Sequence, residues 1–496
     1  MKLSRIRGGI HPEYRKERTQ DAPIVTLPMP RILCLLLKQH VGSAAEPVVT
    51  SGKRVKKGDL LARAHGPVSA PIHAPTSGSI VDIIEQTAPH PSGLPQKAIQ
   101  LRPDGKDQWG ILPAGLEDPF SASPAEIDAR VAAAGIVGLG GAAFPSAVKL
   151  GLRETHTLDT LILNGAECEP YLTCDDRVMR EYAAQVVDGA RILAHGLTLS
   201  RVVVAIEANK PQAVEAMTRA VAGRTDIVVV TVPVQYPMGS ERHLCKAITG
   251  RETPAGKLTA DIGVVVHNVG TARAVHQAIR FGRPLLSRVI TVSGGALVSG
   301  HNIDVPLGTL VSDLITWCGG FTDGKVPHRL ISGGPMMGHP LPALDVPVIK
   351  GTSGILALTR DEINEQPAGP CIRCGTCVSV CPCGLMPLEI AAFIRRDNLD
   401  AATRSGVRDC VSCGSCSYIC PSHIPLVQYF NYAKGRLNAL DRERRKHERL
   451  KGLVEARRAR MDKLARAKRD AAARARTAPP AAPPMAPPTA ETKANA

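Results

Sequence analysis

Two matching runs of cysteine are the part of this sequence whose residue types and spacing most directly indicate chemistry. Each run reads C-x2-C-x2-C-x3-C-P, with Cys371, Cys374, Cys377 and Cys381 in the first and Cys410, Cys413, Cys416 and Cys420 in the second. In bacterial ferredoxins of this spacing, three thiolates wrap one [4Fe–4S] cluster and the fourth, past the turn, ligates the other. The runs therefore predict one cluster on Cys371, Cys374, Cys377 and Cys420, and a second on Cys381, Cys410, Cys413 and Cys416.

A pair of structural zinc sites is the other interpretation of these cysteines. Zinc sites usually use two C-x2-C pairs, whereas both runs here are complete and carry Pro382 and Pro421 in register. Cys383 is interpreted as a small hydrophobic residue in preference to a substitute ligand. The remaining cysteines lack such spacing and are expected to be free thiols: Cys34, Cys168, Cys174, Cys245 and Cys318. Two clusters that each carry single electrons indicate an electron-transfer protein.

A glycine-rich run over residues 135–149 indicates a second kind of site. Gly138 and Gly140 lie within the run, and Lys149 closes it. Glycines let backbone N–H groups approach a phosphate, and the start of the following helix contributes a favourable dipole. Taken alone, the run is equally consistent with a plain tight turn.

Polar residues that follow later strand-like runs strengthen the nucleotide interpretation. In α/β folds, ligands bind beyond the carboxyl ends of the strands. The residues in such positions are Asn164, Glu167, Glu169, Tyr236, Gly239, Glu241 and Asn268. Ordinary turns are the alternative, since Asn and Gly favour turns, but the glutamates are not needed for a turn.

The length of 496 residues predicts about three or four domains to position these sites. Residues 1–118 alternate short apolar stretches with Gly and Pro turns, as in a small β-sandwich or barrel. That pattern resembles a biotinyl/lipoyl-type carrier, but no lysine occurs from Gly58 to Gln96. A structural module is therefore expected.

Residues 119–282 alternate strand-like and helical stretches, which predicts an α/β domain with a mostly parallel sheet. The expected strands are 160–163, 201–206, 227–232 and 262–266, and the expected helices include 180–193 and 210–222. Residues 283–350 suit a small ubiquitin-like fold, with two strands around a glycine-rich turn and a helix at 309–317. Residues 362–430 hold both cysteine runs.

The C-terminal part has a different composition. Residues 434–476 predict a long basic helix, with 17 Lys+Arg against 6 Asp+Glu and a net charge of +11, out of +16 for the chain. Its apolar residues form only a narrow stripe. Residues 477–496 are rich in Ala and Pro and are expected to be disordered.

Targeting signals and disulfides are not expected. The first residues are polar and basic, which argues against a signal peptide, and the apolar runs are far shorter than the roughly 20 residues that span a bilayer. Fourteen cysteines without a secretion signal favour metal or redox chemistry over a disulfide framework. A soluble or peripheral protein is expected.

The polar loops resemble those of the flavin-binding subunit of respiratory NADH dehydrogenase. The resemblance implies that FMN is held by a set of loop residues, namely Gly138, Gly140, Lys149, Asn164 and Asn268. It also implies that Glu167 and Glu169 face the NADH side, and that Tyr236, Gly239 and Glu241 lie near the flavin.

Over residues 3–430 the chain resembles the C-subunit family of Rnf/Rsx ion-translocating oxidoreductase complexes. The matching segments are 8–12, 142–150, 164–177, 333–338 and the two cysteine runs. The resemblance implies a barrel-sandwich hybrid domain, a Rossmann-like FMN/NADH domain, a soluble-ligand-binding β-grasp domain and a two-cluster ferredoxin-like domain. It further implies a peripheral position on the cytoplasmic face of the bacterial inner membrane, with partner subunits, one of which connects to ferredoxin.

The function predicted from these parts is an electron wire that joins NAD(H), FMN, the two clusters and a membrane partner, coupled to ion transport. No catalytic acid or base is expected, because hydride transfer needs positioning groups only. A flavin and iron–sulfur cobalamin reductase of a microcompartment is the alternative enzyme. Nucleic-acid binding by residues 434–476 is not expected, because the aromatic residues that stack on bases are missing there. Contact with anionic lipid or an acidic partner is at least as plausible for that helix.

Overall fold

The computed structural model describes residues 3–322 and 327–477. The chain divides into two compact units, Met1–Asn431 and Tyr432–Ala496. The segment predicted to be disordered, 477–496, lies outside the described residues from position 478 onward.

Most of the described β-strands are short. In chain order they are β1 (Ile24–Thr26), β2 (Leu33–Leu36), β3 (Glu46–Pro47), β4 (Arg54–Val55), β5 (Leu60–Arg63), β6 (Ile72–His73), β7 (Gly78–Thr87), β8 (Pro95–Pro103), β9 (Thr160–Gly165), β10 (Val202–Glu207), β11 (Ile227–Val232), β12 (Val264–Asn268), β13 (Ser287–Ser293), β14 (His301–Pro306), β15 (Arg329–Ser332), β16 (His339–Pro340) and β17 (Gly354–Leu358).

The α-helices lie mainly in the middle and C-terminal thirds. They are α1 (Pro124–Ala133), α2 (Ser146–Leu150), α3 (Cys174–Glu181), α4 (Ala183–Gly196), α5 (Pro211–Ala220), α6 (Glu241–Thr249), α7 (Val269–Phe281), α8 (Val311–Trp317), α9 (Thr376–Ser379), α10 (Pro387–Arg395), α11 (Leu399–Arg404), α12 (Ser415–Tyr418) and α13 (Leu426–Thr477).

The N-terminal β-rich region consists of two small antiparallel sheets in the part of the chain that is described. One has the order β2-β8-β7-β4 and the other β3-β5-β6. All four residues of β2 are buried, and Leu33 and Leu35 pack in the same core as Leu61, Ile72 and Leu101. The predicted β-rich character of this region is confirmed.

The middle region contains a parallel sheet of order β11-β10-β9-β12, as predicted. Successive side chains of a strand point to opposite faces. Leu161 and Leu163 of β9 accordingly pack in one core, which α4 and α7 also line, while Ile162 packs in a second core with Leu244 of α6. Helices therefore cover both faces of the sheet.

The expected bounds differ from the structure mostly by one or two residues at element ends, and two of the differences have a clear local cause. The helix expected at 180–193 is interrupted at Tyr182, whose φ of −125° and ψ of 28° end α3 before α4 begins. The strand expected at 262–266 starts at Val264, because Ile262 closes a 3-10 turn and Gly263 adopts a left-handed conformation with φ of 78°.

The sheet that contains β13 and β14 takes strands from outside residues 283–350. Its order is β1-β14-β13-β17-β15-β16, so Ile24–Thr26 forms one edge and Gly354–Leu358 pairs with β13. Helix α8 packs on it through Leu314 and Ile315, which share a core with Ile290 and Ile303. Val25 of β1 and Ile355 of β17 pack with the same core, so the added strands extend it.

The cysteine region repeats one local structure. Helices α9 and α12 follow Gly375 and Gly414, which have φ of 76° and 80°. Glycine is suited to this left-handed conformation because it has no Cβ. Helix α13, expected from residue 434, instead begins at Leu426, directly after Pro425, whose fixed φ suits the start of a helix.

Candidate functional site

The carboxyl edge of the parallel sheet brings two of the predicted loops together. Asn164 lies at the end of β9, where its Nδ2 donates to the Gly239 carbonyl at 2.8 Å. Its Oδ1 accepts from the backbone N–H of Ala166 at 3.1 Å. Asn164 therefore ties the loop after β9 to the loop that precedes α6.

Asn268 brings the glycine-rich loop to the same edge. Its Oδ1 accepts from Gly270 N–H at 2.8 Å, which caps α7, and its Nδ2 donates to the Asp175 carboxylate at 2.6 Å. A Cβ placed on Gly140 would lie 3.4 Å from the Asn268 Cβ. Gly138 N–H donates to the Phe144 carbonyl at 2.8 Å and closes the loop, while Gly140 itself is exposed.

Lys149 is held at this edge by two partners. Its Nζ donates to the Val266 carbonyl at 2.9 Å and lies 3.2 Å from a Glu241 carboxylate oxygen. The other Glu241 oxygen accepts from the Thr259 hydroxyl at 2.6 Å. The Lys149 side chain remains 21% exposed, so its charge is fixed in place and still reaches solvent.

Glu167 and Glu169 both point into the protein. The Glu167 carboxylate accepts from the N–H groups of Asp175 at 2.7 Å and Asp176 at 3.1 Å, at the start of α3. The Glu169 carboxylate accepts from the N–H groups of Met336 at 3.0 Å and Met337 at 2.8 Å. Burial raises the pKa of Glu169 to about 7. Each glutamate therefore holds a neighbouring segment in the structure as it stands.

Tyr236 connects the nucleotide-like loops to the second cysteine run. Its side chain is buried, and its hydroxyl donates to the Cys413 carbonyl at 2.6 Å. Close by, Gly239 N–H donates to Cys168 Sγ at 3.3 Å. A Cβ on Gly239 would lie only 3.0 Å from that sulfur, so a larger residue would push the loop away.

Two motifs with no role assigned from sequence strengthen this connection. In the N-terminal segment, Gly9 N–H donates to the Val380 carbonyl at 2.9 Å, and Ile10 exchanges backbone hydrogen bonds with Tyr236. The loop 333–338 lies between Glu169 and the second cysteine run, because a Cβ on Gly414 would be 3.0 Å from the Met336 carbonyl oxygen. Both motifs join the nucleotide-like edge to the cysteine region.

The cysteines form two groups across the two runs. A cavity of about 100 Å³ is lined by Cys371, Cys374, Cys377 and Cys420. Burial raises the pKa of Cys416, and the nearby thiols of Cys413, Cys410 and Cys381 raise it further. Cys383 also lies near this second group, since the thiols of Cys381, Cys410 and Cys413 act on its pKa.

The residues present fit the groups that the sequence implies. Each group of four thiols is a sulfur-only donor set, which suits an iron–sulfur cluster. At the sheet edge, the exposed glycine-rich loop and the fixed charge of Lys149 suit a phosphate-bearing cofactor. A Cβ on Gly141 would meet no described atom within 4 Å, which leaves open space beside that loop.

Two buried lysines hold the loop after β9 and were not singled out from the sequence. Lys210 Nζ donates to the Ala166 carbonyl at 2.7 Å and pairs with Glu207 at 3.0 Å. Lys16 Nζ donates to the carbonyls of Glu167 at 2.9 Å and Leu172 at 2.6 Å. The spacing of Glu207 and Lys210 after a buried strand could have indicated the first, whereas Lys16 carries no sequence signal.

Comparison with known families divides the chain in the same order. The matching descriptions are the RnfC barrel sandwich hybrid domain over residues 4–106, the Nuo51 FMN-binding domain over 131–277, the SLBB domain over 289–340 and the 4Fe-4S dicluster domain over 370–424.

Full-length relatives decide the family. The C subunit of the ion-translocating oxidoreductase complex of Rhodobacter capsulatus is 57% identical over 445 residues, which cover 89% of this chain and 85% of that protein. The C subunit of the proton-translocating ferredoxin:NAD(+) oxidoreductase complex of Clostridium ljungdahlii is 44% identical, with 90% and 96% covered. This chain belongs to the RnfC family of ion-translocating oxidoreductase complexes.

Membership of the RnfC family establishes the general function. The chain is an electron-transfer subunit of a membrane-associated oxidoreductase complex, so other subunits are its partners. Its cofactors are FMN and the [4Fe–4S] clusters. The alternative of a microcompartment cobalamin reductase is not favoured. Among the described helices, none combines the length and the apolar character needed to cross a bilayer.

Proposed function

We propose that this chain connects NAD(H) to a membrane partner through an ordered pair of clusters. FMN, when bound, supplies the exchange between the electron pair of NADH and the single electrons that clusters carry. The cluster on Cys381, Cys410, Cys413 and Cys416 is on the flavin side. The cluster on Cys371, Cys374, Cys377 and Cys420 is on the partner side.

The hydrogen bond from Tyr236 to the Cys413 carbonyl is the observation that carries this order. It joins the loop before α6, which lies beside Asn164 at the sheet edge, to a ligand of the second group. The backbone pairing of Ile10 with Tyr236 and the contact of Gly9 with Val380 hold the same junction. A buried, hydrogen-bonded junction of this kind fixes the distance across which an electron must pass.

Solvent exposure of the first cysteine run supports the assignment of its cluster to the partner side. Cys371 and Cys374 are exposed, and the apolar side chain of Ile372 between them is 68% exposed. In contrast, Cys413 and Cys416 are buried. An exposed apolar residue beside a cluster ligand is suited to contact with another subunit, which would exclude water from the transfer path.

At the sheet edge, the chain's own residues bind and orient the nucleotides. Gly138 keeps the glycine-rich loop closed through the Phe144 carbonyl. The exposed Gly140 would present its backbone N–H group to the FMN phosphate, and Lys149 would supply a positive charge. Asn164 and Asn268 hold the loops that would surround the flavin, together with Gly239 and Glu241. Glu167 and Glu169 position the loop that lines the NADH side. Ferredoxin, reached through another subunit, is the partner at the far end, and the chain lies on the cytoplasmic face of the membrane.

Anaerobic reconstitution tests this function. The full chain is expected to bind FMN, to contain iron and sulfide for two [4Fe–4S] clusters, and to show cluster reduction when NADH is added. Lys149→Ala is expected to lower flavin content while iron and sulfide stay unchanged. Protein that holds both clusters and FMN but whose clusters stay oxidised with excess NADH would contradict the proposal.

A further inference from the structure

The second unit carries an exposed apolar stripe along α13. Every side chain from Arg442 to Arg476 is exposed. Five of these are large and apolar, each at least half exposed: Leu450, Leu453, Val454, Met461 and Leu464. Because exposed apolar side chains of this size are costly in water, their repetition on one helix indicates a surface that another phase or molecule covers.

The five apolar residues fall on one side of the helix. At about 100° of rotation per residue, their positions span an arc of only about 100°. This arc is the apolar face of α13. An apolar stripe of that width is typical of a helix that lies along an interface.

Acidic residues are unevenly distributed around the same helix. The acidic residues lie almost entirely on the side opposite the apolar face: Asp441, Glu448, Glu455, Asp462 and Asp470. Glu443 is the exception, since it projects on the apolar side. Basic residues lie on every side of the helix, and four of them border the apolar face: Arg449 and Arg460 along one edge, and Lys451 and Arg458 along the other. The segregation therefore concerns the acidic residues, which leave the apolar face and its borders almost free of negative charge.

We propose that the apolar face of α13 lies on an anionic lipid bilayer, parallel to the membrane surface. Leucine, valine and methionine side chains would enter the boundary between headgroups and acyl chains. The flanking arginines and lysines would contact lipid phosphates, with their aliphatic stems along the apolar layer. The acidic side would face water. This inference goes beyond the proposed function and does not depend on it.

A second copy of the chain fits this face less well. In a two-helix coiled coil, residues that border the apolar seam face each other across the interface. Here both borders are basic, so two copies would place like charges together. Lys446, Arg457 and Lys468 also project within the apolar arc, where a bilayer lets their charged ends reach the headgroups but a protein seam would bury them.

Nucleic acid also fits less well. It would use the basic residues but would leave the leucine stripe exposed, and residues 433–477 contain no Phe, Tyr or Trp to stack on bases. An anionic bilayer uses the apolar and basic sides together. Of these three occupants, the bilayer is the one that accounts for both features of α13.

Vesicle sedimentation with the full chain tests the proposal. Binding is expected to vesicles that contain phosphatidylglycerol and to be much weaker with phosphatidylcholine alone. The double variant Leu453→Asp and Leu464→Asp should lower the partition coefficient for anionic vesicles at least about 10-fold, because two buried leucine side chains are lost. The matched control Ala459→Asp and Ala473→Asp adds the same charge on the acidic side and should stay within about 3-fold of the parent chain.

A second measurement reports on burial of the face itself. Leu453→Trp should show a blue-shifted increment in fluorescence on addition of anionic vesicles, and Ala459→Trp should not. Equal loss of binding in both double variants would overturn the proposal, because it would show charge attraction without insertion. A change from dimer to monomer caused by Leu453→Asp and Leu464→Asp in the absence of lipid would also overturn it, in favour of a second copy.

Discussion

The two cysteine runs have the same spacing but different surroundings. In the first run, Cys371 and Cys374 are exposed and Ile372 projects into solvent. In the second, Cys413 and Cys416 are buried, and the Cys413 carbonyl accepts the hydroxyl of Tyr236. Spacing therefore determines which cluster a thiol can ligate. On the proposed function, the packing around each run determines where electrons enter and leave.

Removing one cluster ligand from each run should have the largest effect on electron transfer and should distinguish the two runs. Cys413→Ser is expected to lower the rate of electron passage from NADH to an external acceptor at least about 100-fold, beyond the 10–100-fold typical of outer-shell changes. Cys374→Ser should also stop delivery to the acceptor, but NADH should still reduce the cluster that remains. Stopped-flow absorbance and low-temperature EPR measure both. Cys383→Ser is the control and should retain full iron content; reduction of a cluster by NADH in Cys413→Ser would reverse the proposed order.

The glycines that precede α9 and α12 allow a matched test of packing. Gly375→Ala and Gly414→Ala both place a Cβ in a left-handed conformation, which costs about 1 kcal/mol. For Gly414 the Cβ would also lie 3.0 Å from the Met336 carbonyl, whereas for Gly375 no described atom lies within 4 Å. We expect Gly414→Ala to lower the free energy of unfolding by about 1–3 kcal/mol more than Gly375→Ala. Chemical denaturation measures this difference. Equal losses for the two variants would contradict the prediction, because they would show that the 333–338 loop moves away from the added Cβ at little cost.

Tyr236→Phe should weaken the contact between the loop before α6 and the second cysteine run, while both clusters stay bound. The Cys413 carbonyl would lose its buried donor, which costs about 1–3 kcal/mol of stability. We expect both clusters to assemble, and the first phase of cluster reduction by NADH to slow several-fold. Tyr432→Phe, on an exposed side chain of the second unit, is the control. A slow phase confined to the Cys371 group would assign the junction to the other cluster.

The smallest expected effect is a pH dependence of folding stability caused by Glu169, whose carboxylate holds the 333–338 loop beside the second cysteine run. Burial raises the pKa of Glu169 to about 7 from an ordinary 4.5, so the folded state keeps a proton that the unfolded state releases. Stability contributed by this group therefore falls as the pH rises from about 4.5 to 7. Glu169→Gln should remove that fall. Because the glutamine amide leaves one of the two backbone N–H groups without its acceptor, the variant carries a constant loss. Its stability relative to the parent chain should still rise by about 1–3 kcal/mol between pH 4.5 and pH 7. Thermal unfolding across this pH range measures the difference; a constant difference at all pH values would contradict it.

The sequence predicted most of the architecture because the signals are local. Short apolar runs separated by helical stretches predicted β9 to β12, and the regular cysteine spacing identified the two runs. The positions of β1 and β17 were missed, since Ile24–Thr26 and Gly354–Leu358 are too short to indicate a partner, and only long-range pairing places them in one sheet.

The candidate site was predictable as a set of residues but not as a set of contacts. The spacing of Glu167 and Glu169 indicated a polar loop, but not that one carboxylate caps α3 and the other holds Met336. Likewise, nothing local to Tyr236 indicates Cys413, which lies 177 positions away along the chain. Contacts of this kind depend on how separate domains pack, and a single sequence carries little information about that.

The N-terminal segment has a consequence for biosynthesis. Its backbone pairs with residues made much later: Ser4 with Ala247, Ile10 with Tyr236 and Gly9 with Val380. During translation these early residues must therefore wait, without their final partners, until the ribosome has produced about residue 380. The N-terminal segment can therefore take its final place only after most of the first cysteine run has been synthesised.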